Sequence, residues 1–183
     1  EEEIGSLLKE KIYVPLVSEI ENLFLIPKVI ELVAKKQNIE NVDDLLEQTK
    51  AKTIEFLQEH LEEQSLLFAK KRCQNTINNI CNQPTSTIEE YKASLDGVVD
   101  IVNPQEEYNK AREELQKIID DKDYLAALKV INNKGLLPST NLPNVFGWKK
   151  QYYIEYVIRL LESKDSASEE LCDIFREYVP VEI

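Results

Sequence analysis

Apolar residues recur every three or four positions in most segments of this 183-residue chain, which is the spacing of amphipathic α-helices. The chain has only four glycines and seven prolines, so few places suit the tight turns that join neighbouring β-strands. One segment alone, IYVPLV at residues 12–17, has the continuous apolar character of a strand. We therefore predict a mainly α fold: a multi-helix domain with one short N-terminal strand.

The longest helical pattern begins at Asp43 or Asp44 and continues to about Asn79. A single helix of this length would extend roughly 50 Å, too far for a compact core to cover on its own. Residues 105–121 have apolar positions at helical spacing, and we predict that they form an antiparallel partner. The long helix is also a candidate surface for a homodimer. Residues 135–147 contain two prolines and two glycines and are predicted to be a loop.

The strand-like segment at 12–17 has no second strand to pair with in this sequence. A lone strand is not stable by itself, so either it lies extended across helices or its sheet is formed by chain that precedes residue 1. We favour the second alternative. The sequence contains no methionine and begins with three glutamates, which is unusual for a translated start. We therefore expect this chain to be part of a longer protein.

The segment VSEIENLFLIP, residues 17–27, allows two interpretations. Ser18 and Glu21 have the S-x-x-E spacing of a capping box that starts a helix. Alternatively, Glu21 or Glu19 is a carboxylate ligand for Mg²⁺ or Mn²⁺, which bind carboxylates together with water and substrate phosphate. Residues two apart point to nearly opposite sides of a helix, so only one of the two glutamates is expected to face such a site.

Lys134, in the segment NKGLL, also allows two interpretations. The pattern places it at the end of a helix that begins at Asp123, where a cation interacts favourably with the helix dipole. The second interpretation is catalytic, with the lysine stabilising the charge of a phosphate beside a metal site.

The net charge of −12 opposes non-specific nucleic-acid binding by the bulk surface, because phosphates are repelled. It does not exclude a local site in which metal ions bridge the repulsion. The basic cluster at residues 70–72 lies within the long helical pattern, where Glu62 and Glu63 are its expected salt-bridge partners. The cluster is therefore predicted to be a solvated face rather than a nucleic-acid site.

Trp148, Tyr152 and Tyr156 share one helical face in the segment WKKQYYIEY, and we expect them to pack in the core rather than to stack on bases. No P-loop, nucleophile motif or G-x-G-x-x-G is present. The longest apolar runs are much shorter than the roughly 20 residues that span a bilayer, so no membrane association is expected. Three cysteines without a C-x-x-C pattern are typical of buried thiols in a reducing cytosol, which predicts a cytoplasmic location.

Three segments together resemble a known family. SEIENLFLIPKVIELVA after a strand is similar to the R/S-E-I-E-N-Y-L-L-x-P signature of Toprim-like domains. These domains occur beside or fused to ABC/AAA-type ATPases in relatives of the overcoming-lysogenization-defect nucleases. NKGLLPSTN resembles the later G-K-x-L-L element, although here Lys134 precedes Gly135, and YYIEYVIRLLES with LCDIFREYVP resembles the closing helices. The middle of the chain, about 40–120, matches no pattern of the family.

The resemblance implies a metal-dependent nuclease acting on DNA or RNA, often in phage defence, with an ATPase domain or subunit that controls it. The family's first glutamate and D-x-D motif would precede residue 1, the later acidic position would be Glu21 or else Glu19, and the lysine would be Lys134. The implied domains are 1–37, the end of the Toprim-like core; 38–122, an insertion or hairpin; and 123–183, the C-terminal helices. Alone, the chain is expected to be inactive. The alternative is an acidic helical module for protein interaction or dimerisation, without a catalytic role.

Overall fold

The computed structural model describes residues 17–178, apart from the side chains of residues 99 and 100, and all regular structure in that range is helical. The predicted mainly α fold is confirmed. The strand predicted at 12–17 lies outside the described residues except for Val17, which is buried. Within the described range, no helix is both long and apolar enough to cross a membrane. The elements are a 3₁₀ helix at Ile20–Leu25, α1 Pro27–Lys36, α2 Val42–Glu59, α3 Leu61–Cys81, α4 Ile88–Asp96, α5 Val98–Ile101, α6 Pro104–Asp120, α7 Tyr124–Val130, α8 Leu136–Ser139, α9 Leu142–Val145, α10 Lys150–Glu162 and α11 Ser166–Arg176.

The chain divides into two compact units. The first unit takes in the chain up to Phe56 and again from Asp123, so it is discontinuous in sequence. The second unit is the continuous segment Leu57–Lys122. All three segments that carry the family resemblance fall in the first unit. The second unit lies almost wholly within the segment without resemblance, about 40–120, whose residues 40–56 belong to the first unit.

The single long helix predicted from Asp43 to about Asn79 is wrong, because the chain forms two helices that meet at His60. The backbone of His60 leaves the α-helical region, with φ −107° and ψ 15°. Neither glycine nor proline marks this break. The apolar stripe also continues across it, since Leu57 and Leu61 are both buried. Periodicity alone therefore did not reveal where one helix ends and the next begins.

In the second unit, α3 packs along α6, which confirms that residues 105–121 supply the helix that pairs with this region. Both helices bury an apolar stripe, which includes Leu61 and Ala69 on α3 and Ala111, Leu115 and Ile119 on α6. Burying large apolar side chains stabilises such a pair by about 1.5–3 kcal/mol each.

Ion pairs lie along the polar edge of this helix pair, but not between the residues that the sequence suggested. Arg72 contacts Glu114 at 2.5 Å rather than Glu62 or Glu63. Glu62 instead contacts Nε of Arg112 at 2.9 Å and accepts a hydrogen bond from the hydroxyl of Tyr108. The hydroxyl of Tyr108 and then the guanidinium of Arg112 lower the pKa of Glu62. Exposed pairs of this kind contribute little to stability.

In the first unit, α1 buries five of its ten residues, and Val29, Ile30, Val33 and Ala34 have no exposed surface. Pro27 occupies its first turn, as its fixed φ favours. Helix α7 begins where predicted, because the carboxylate of Asp123 accepts a hydrogen bond from N–H of Ala126 at 3.0 Å. It ends at Val130, so the prediction that Lys134 lies at the end of this helix is wrong.

Residues 135–147, predicted to be a loop, contain the short helices α8 and α9. Leu136, Leu137 and Leu142 are buried in the first unit, and this burial favours regular structure in which the backbone groups pair locally. Asn141, at φ 61°, separates the two helices, and Gly147, at φ 70°, follows α9. The left-handed backbone at these two positions suits asparagine and glycine.

Candidate functional site around Glu21

The segment at residues 18–25 follows the predicted strand and contains the proposed metal ligands. Its regular part is a 3₁₀ helix, and the residue before that helix is Glu19, whose side chain does not cap it. The Ser18 hydroxyl instead donates to the carbonyl oxygen of Lys129 at 2.6 Å. The predicted capping box of Ser18 and Glu21 is therefore wrong: each of the two side chains has a partner more than 100 positions away in sequence.

Glu21 forms an ion pair with Lys150 at the start of α10. The Lys150 Nζ atom lies 2.5 Å from Oε2 of Glu21, and the two side chains are 29% and 21% exposed. Oε2 is fully buried and accepts no hydrogen bond of regular geometry from the described residues, so Lys150 is what compensates its charge. A carboxylate so enclosed needs a cation beside it.

The same lysine reaches the loop that holds Lys134. Lys150 Nζ donates to the Lys134 carbonyl oxygen at 2.9 Å, so one ammonium group connects the two sequence-predicted positions. The side chain of Lys134 itself is exposed. The loop turns tightly because the side chain of Asn133 accepts a hydrogen bond from N–H of Gly135 at 2.8 Å, and a Cβ at Gly135 would lie 2.9 Å from that oxygen.

Glu19 is half-buried and enters no ion pair within the described range. Its carbonyl oxygen accepts from N–H of Asn22 at 2.9 Å, as the start of the 3₁₀ helix. Among residues 17–178, no three histidine, cysteine or acidic side chains cluster as a metal site would require. Glu21 alone would supply one carboxylate ligand, and Mg²⁺ or Mn²⁺ there would compete with the Lys150 ammonium for the same oxygens.

Asn22 is the residue of this segment that sequence reasoning missed. Its side chain is 1% exposed and donates to the carbonyl oxygens of Leu128 at 2.8 Å and Ile131 at 2.9 Å. These carbonyls are at the C-terminal end of α7, where the helix leaves them without internal partners. Asn22 thus fixes the segment to the end of α7, just before the loop of Lys134. The available signal in the sequence was an amide side chain directly before the apolar run LFLI.

Two buried tyrosines hold the end of the same segment. The hydroxyl of Tyr124 donates to the carbonyl oxygen of Leu25 at 2.5 Å, and that of Tyr153 donates to the carbonyl oxygen of Phe24 at 3.0 Å. Burial raises the pKa of both phenols well above the usual value of 10, so both stay neutral donors at physiological pH. Together with Asn22, these side chains set the position of Glu21.

The aromatic face predicted for the core is only partly buried. Trp148 contacts Tyr152 and Tyr156, with ring centroids 5.1 and 4.8 Å apart, but Tyr152 is 44% exposed. The neighbouring Tyr153 is the ring that is fully buried. Trp148 meets Tyr152 edge-on and stacks on Phe146, and Arg159 lies over the ring of Tyr152. The rings of this cluster therefore contact one another within the protein.

Comparison with known protein families, curated proteins and solved structures finds no match for this chain. Its function is therefore inferred from its own residues and contacts.

Proposed function

We propose that this chain supplies the C-terminal helical part of an ATPase-linked, Mg²⁺- or Mn²⁺-dependent Toprim-type nuclease of the cytoplasm, with a role in phage defence. Glu21 provides one carboxylate to the metal site, and the remaining ligands come from a sheet that precedes this chain. A metal held there would polarise a phosphodiester and activate water for its hydrolysis. By itself the chain is catalytically silent.

One observation carries this proposal: the ammonium of Lys150 contacts both the carboxylate of Glu21 and the carbonyl of Lys134. The two segments that resemble the family's acidic and lysine elements therefore meet at one point of the first unit. Lys150 is near enough to share the role assigned to Lys134, that of a cation beside the scissile phosphate. Since the side chain of Lys134 is exposed, it is free to reach a bound phosphate.

The test uses the longest protein that the gene encodes. Its preceding sequence should contain a D-x-D motif and Walker-type ATPase motifs, and the protein should cleave nucleic acid with Mg²⁺. Glu21→Gln should abolish cleavage, and Lys150→Gln should retain metal binding because it breaks the same ion pair but leaves the carboxylate. Glu31→Gln, on the exposed side of α1, is the matched control. Normal cleavage by both Glu21→Gln and Glu19→Gln would remove metal chemistry from this segment.

A second candidate function is a protein-interaction role for the second unit. The observation that favours it is α4, which buries none of its side chains although it contains Ile88, Tyr91 and Leu95. An element of this kind is typical of a surface that is covered in a complex. The two roles are compatible, because they involve different units of the chain.

A further inference from the structure

Helix α4 exposes a narrow apolar strip. Ile88, Tyr91 and Leu95 are 70%, 38% and 39% exposed. At 100° per residue, these three positions fall within an arc of about 60° on the helix surface. Their spacing of three and then four residues is that of a face which packs on another helix.

Helix α4 is stabilised by hydrogen bonds at its N-terminal end more than by burial of its side chains. The hydroxyl of Thr87 accepts from N–H of Glu90 at 3.1 Å, and the carboxylate of Glu90 accepts from N–H of Ser86 at 2.8 Å. This reciprocal capping starts a helix of nine residues, a length that is marginal without packing. The helix lies against α3, yet none of its side chains is buried.

The charge around the strip selects the kind of partner. Residues 82–103 contain four carboxylates and one cation, Lys92. Glu89 and Asp96 lie on the same edge of the strip as Lys92, and none of the three forms an ion pair within the described range. A second copy of the chain is disfavoured, because each copy has a net charge of −12 and the two would repel. A strip about 10 Å long is also too small for a stable dimer of 1,200 Å² or more.

We propose that α4 is the docking site for a cationic amphipathic helix of a partner protein. The partner's apolar face covers Ile88, Tyr91 and Leu95, and its lysines or arginines lie against Glu89 and Asp96. This inference rests on the interaction role of the second unit and is independent of the nuclease proposal.

A synthetic 18-residue helical peptide of leucine and lysine in an amphipathic pattern serves as the probe, and its affinity is measured by titration calorimetry at about 0.15 M salt. The test variant is the triple substitution Ile88→Gln, Tyr91→Gln, Leu95→Gln, because glutamine keeps helix propensity and leaves the charge unchanged. The control replaces three exposed apolar residues of the first unit by glutamine: Leu125, Val145 and Ile158, which are 42%, 42% and 41% exposed.

The peptide should bind the unmodified chain and the control with equal affinity, and the triple α4 variant at least tenfold more weakly. Amide hydrogen exchange within residues 88–96 should slow when the peptide binds. Equal binding to both variants would mean that charge alone attracts the peptide, and equal binding of a leucine–glutamate peptide would mean that the charge assignment is wrong. Either result overturns the proposal.

Light scattering on the chain without peptide separates this proposal from the interaction role itself. The unmodified chain should be a monomer. A dimer that the triple α4 variant loses would keep the interaction role but make a second copy the occupant, which overturns the proposal. If the chain is a monomer and does not bind the peptide, both the docking proposal and the interaction role of the second unit are wrong.

Discussion

Lys150 and Glu21 form the ion pair that joins the start of α10 to the 3₁₀ helix, with Nζ 2.5 Å from the carboxylate. If Glu21 were part of a capping box, Glu21→Gln would leave the stability of the protein unchanged, since glutamine also serves in a capping box. The observed pair reverses that expectation. A partly buried pair lies between the extremes of exposed and buried pairs, so we expect Glu21→Gln and Lys150→Gln each to lower the free energy of unfolding by about 1–2 kcal/mol.

The double variant should lose less than the sum of the two single losses, because each single variant leaves a charge without its partner. Urea unfolding followed by tryptophan fluorescence measures this directly, since Trp148 is the only tryptophan and lies in the first unit. Additive losses would show that the two residues do not interact in solution.

Asn22 is expected to be essential for stability. Asn22→Ala leaves the buried carbonyls of Leu128 and Ile131 without donors, at about 1–3 kcal/mol for each. Asn22→Asp should destabilise further, because it places a carboxylate against both oxygens. Asn75→Ala, at an exposed position of α3, is the control and should change stability by less than about 0.5 kcal/mol. Urea unfolding of the three variants tests this, and a stable Asn22→Ala would contradict both hydrogen bonds.

The hydroxyls of the two buried tyrosines should contribute measurably to the free energy of unfolding. Tyr124→Phe and Tyr153→Phe each remove one donor to the backbone of residues 24 and 25, and each should lower stability by about 1–2 kcal/mol. Tyr152→Phe, at the neighbouring exposed ring, should have no effect beyond about 0.5 kcal/mol. Urea unfolding followed by fluorescence measures the stability of the three variants. Equal stabilities would show that water replaces the two buried hydroxyls without a loss of free energy of unfolding.

Asp165, the N-cap of α11, makes part of the stability depend on pH. The hydroxyl of Ser163, then N–H of Ser168 and the ammonium of Lys36, lower the pKa of Asp165 from 3.8 to about 2. Because the pKa is lower in the folded state, the charged form stabilises the fold above pH 3.8, and this contribution is lost as the pH falls towards 2.

Asp165→Asn keeps an amide oxygen that can cap the helix but removes the charge. The melting temperature of Asp165→Asn should therefore lie below that of the unmodified chain at pH 6, and the difference should become much smaller as the pH falls to 2. Asp173→Asn, on an exposed side of α11, provides the comparison. A difference that is the same at both pH values would show that the charge of Asp165 does not stabilise the folded state.

The sequence predicted the starts of helices well where a nearby side chain caps the helix. The start of α7 at Asp123 and of α6 at Asn103 follow from side chains that bond to backbone N–H groups three residues on. The break at His60 was not predictable in this way, since no glycine, proline or cap marks it. The short helices at 136–145 were missed because burial of their leucines outweighed the loop composition.

The candidate site was predicted less completely, for a different reason. The pattern drew attention to Glu21 and Lys134, but the group that connects them is Lys150, which sequence reasoning had placed among the aromatics of WKKQYYIEY. Ser18 and Asn22 bind backbone carbonyls more than 100 positions away. Contacts of that kind depend on tertiary structure. Ser18 and Glu21 form such distant contacts instead of the local hydrogen bonds that the S-x-x-E spacing predicts.

The discontinuity of the first unit has a consequence for the order in which the protein is made. The side-chain hydrogen bonds described above that hold residues 18, 22, 24 and 25 all join them to residues at or after position 124. On a ribosome, the whole of Leu57–Lys122 is translated before any of these partners exists. The second unit can therefore fold before the partners of the N-terminal segment have been translated. Glu21 reaches its final surroundings only after Tyr153 has emerged from the exit tunnel.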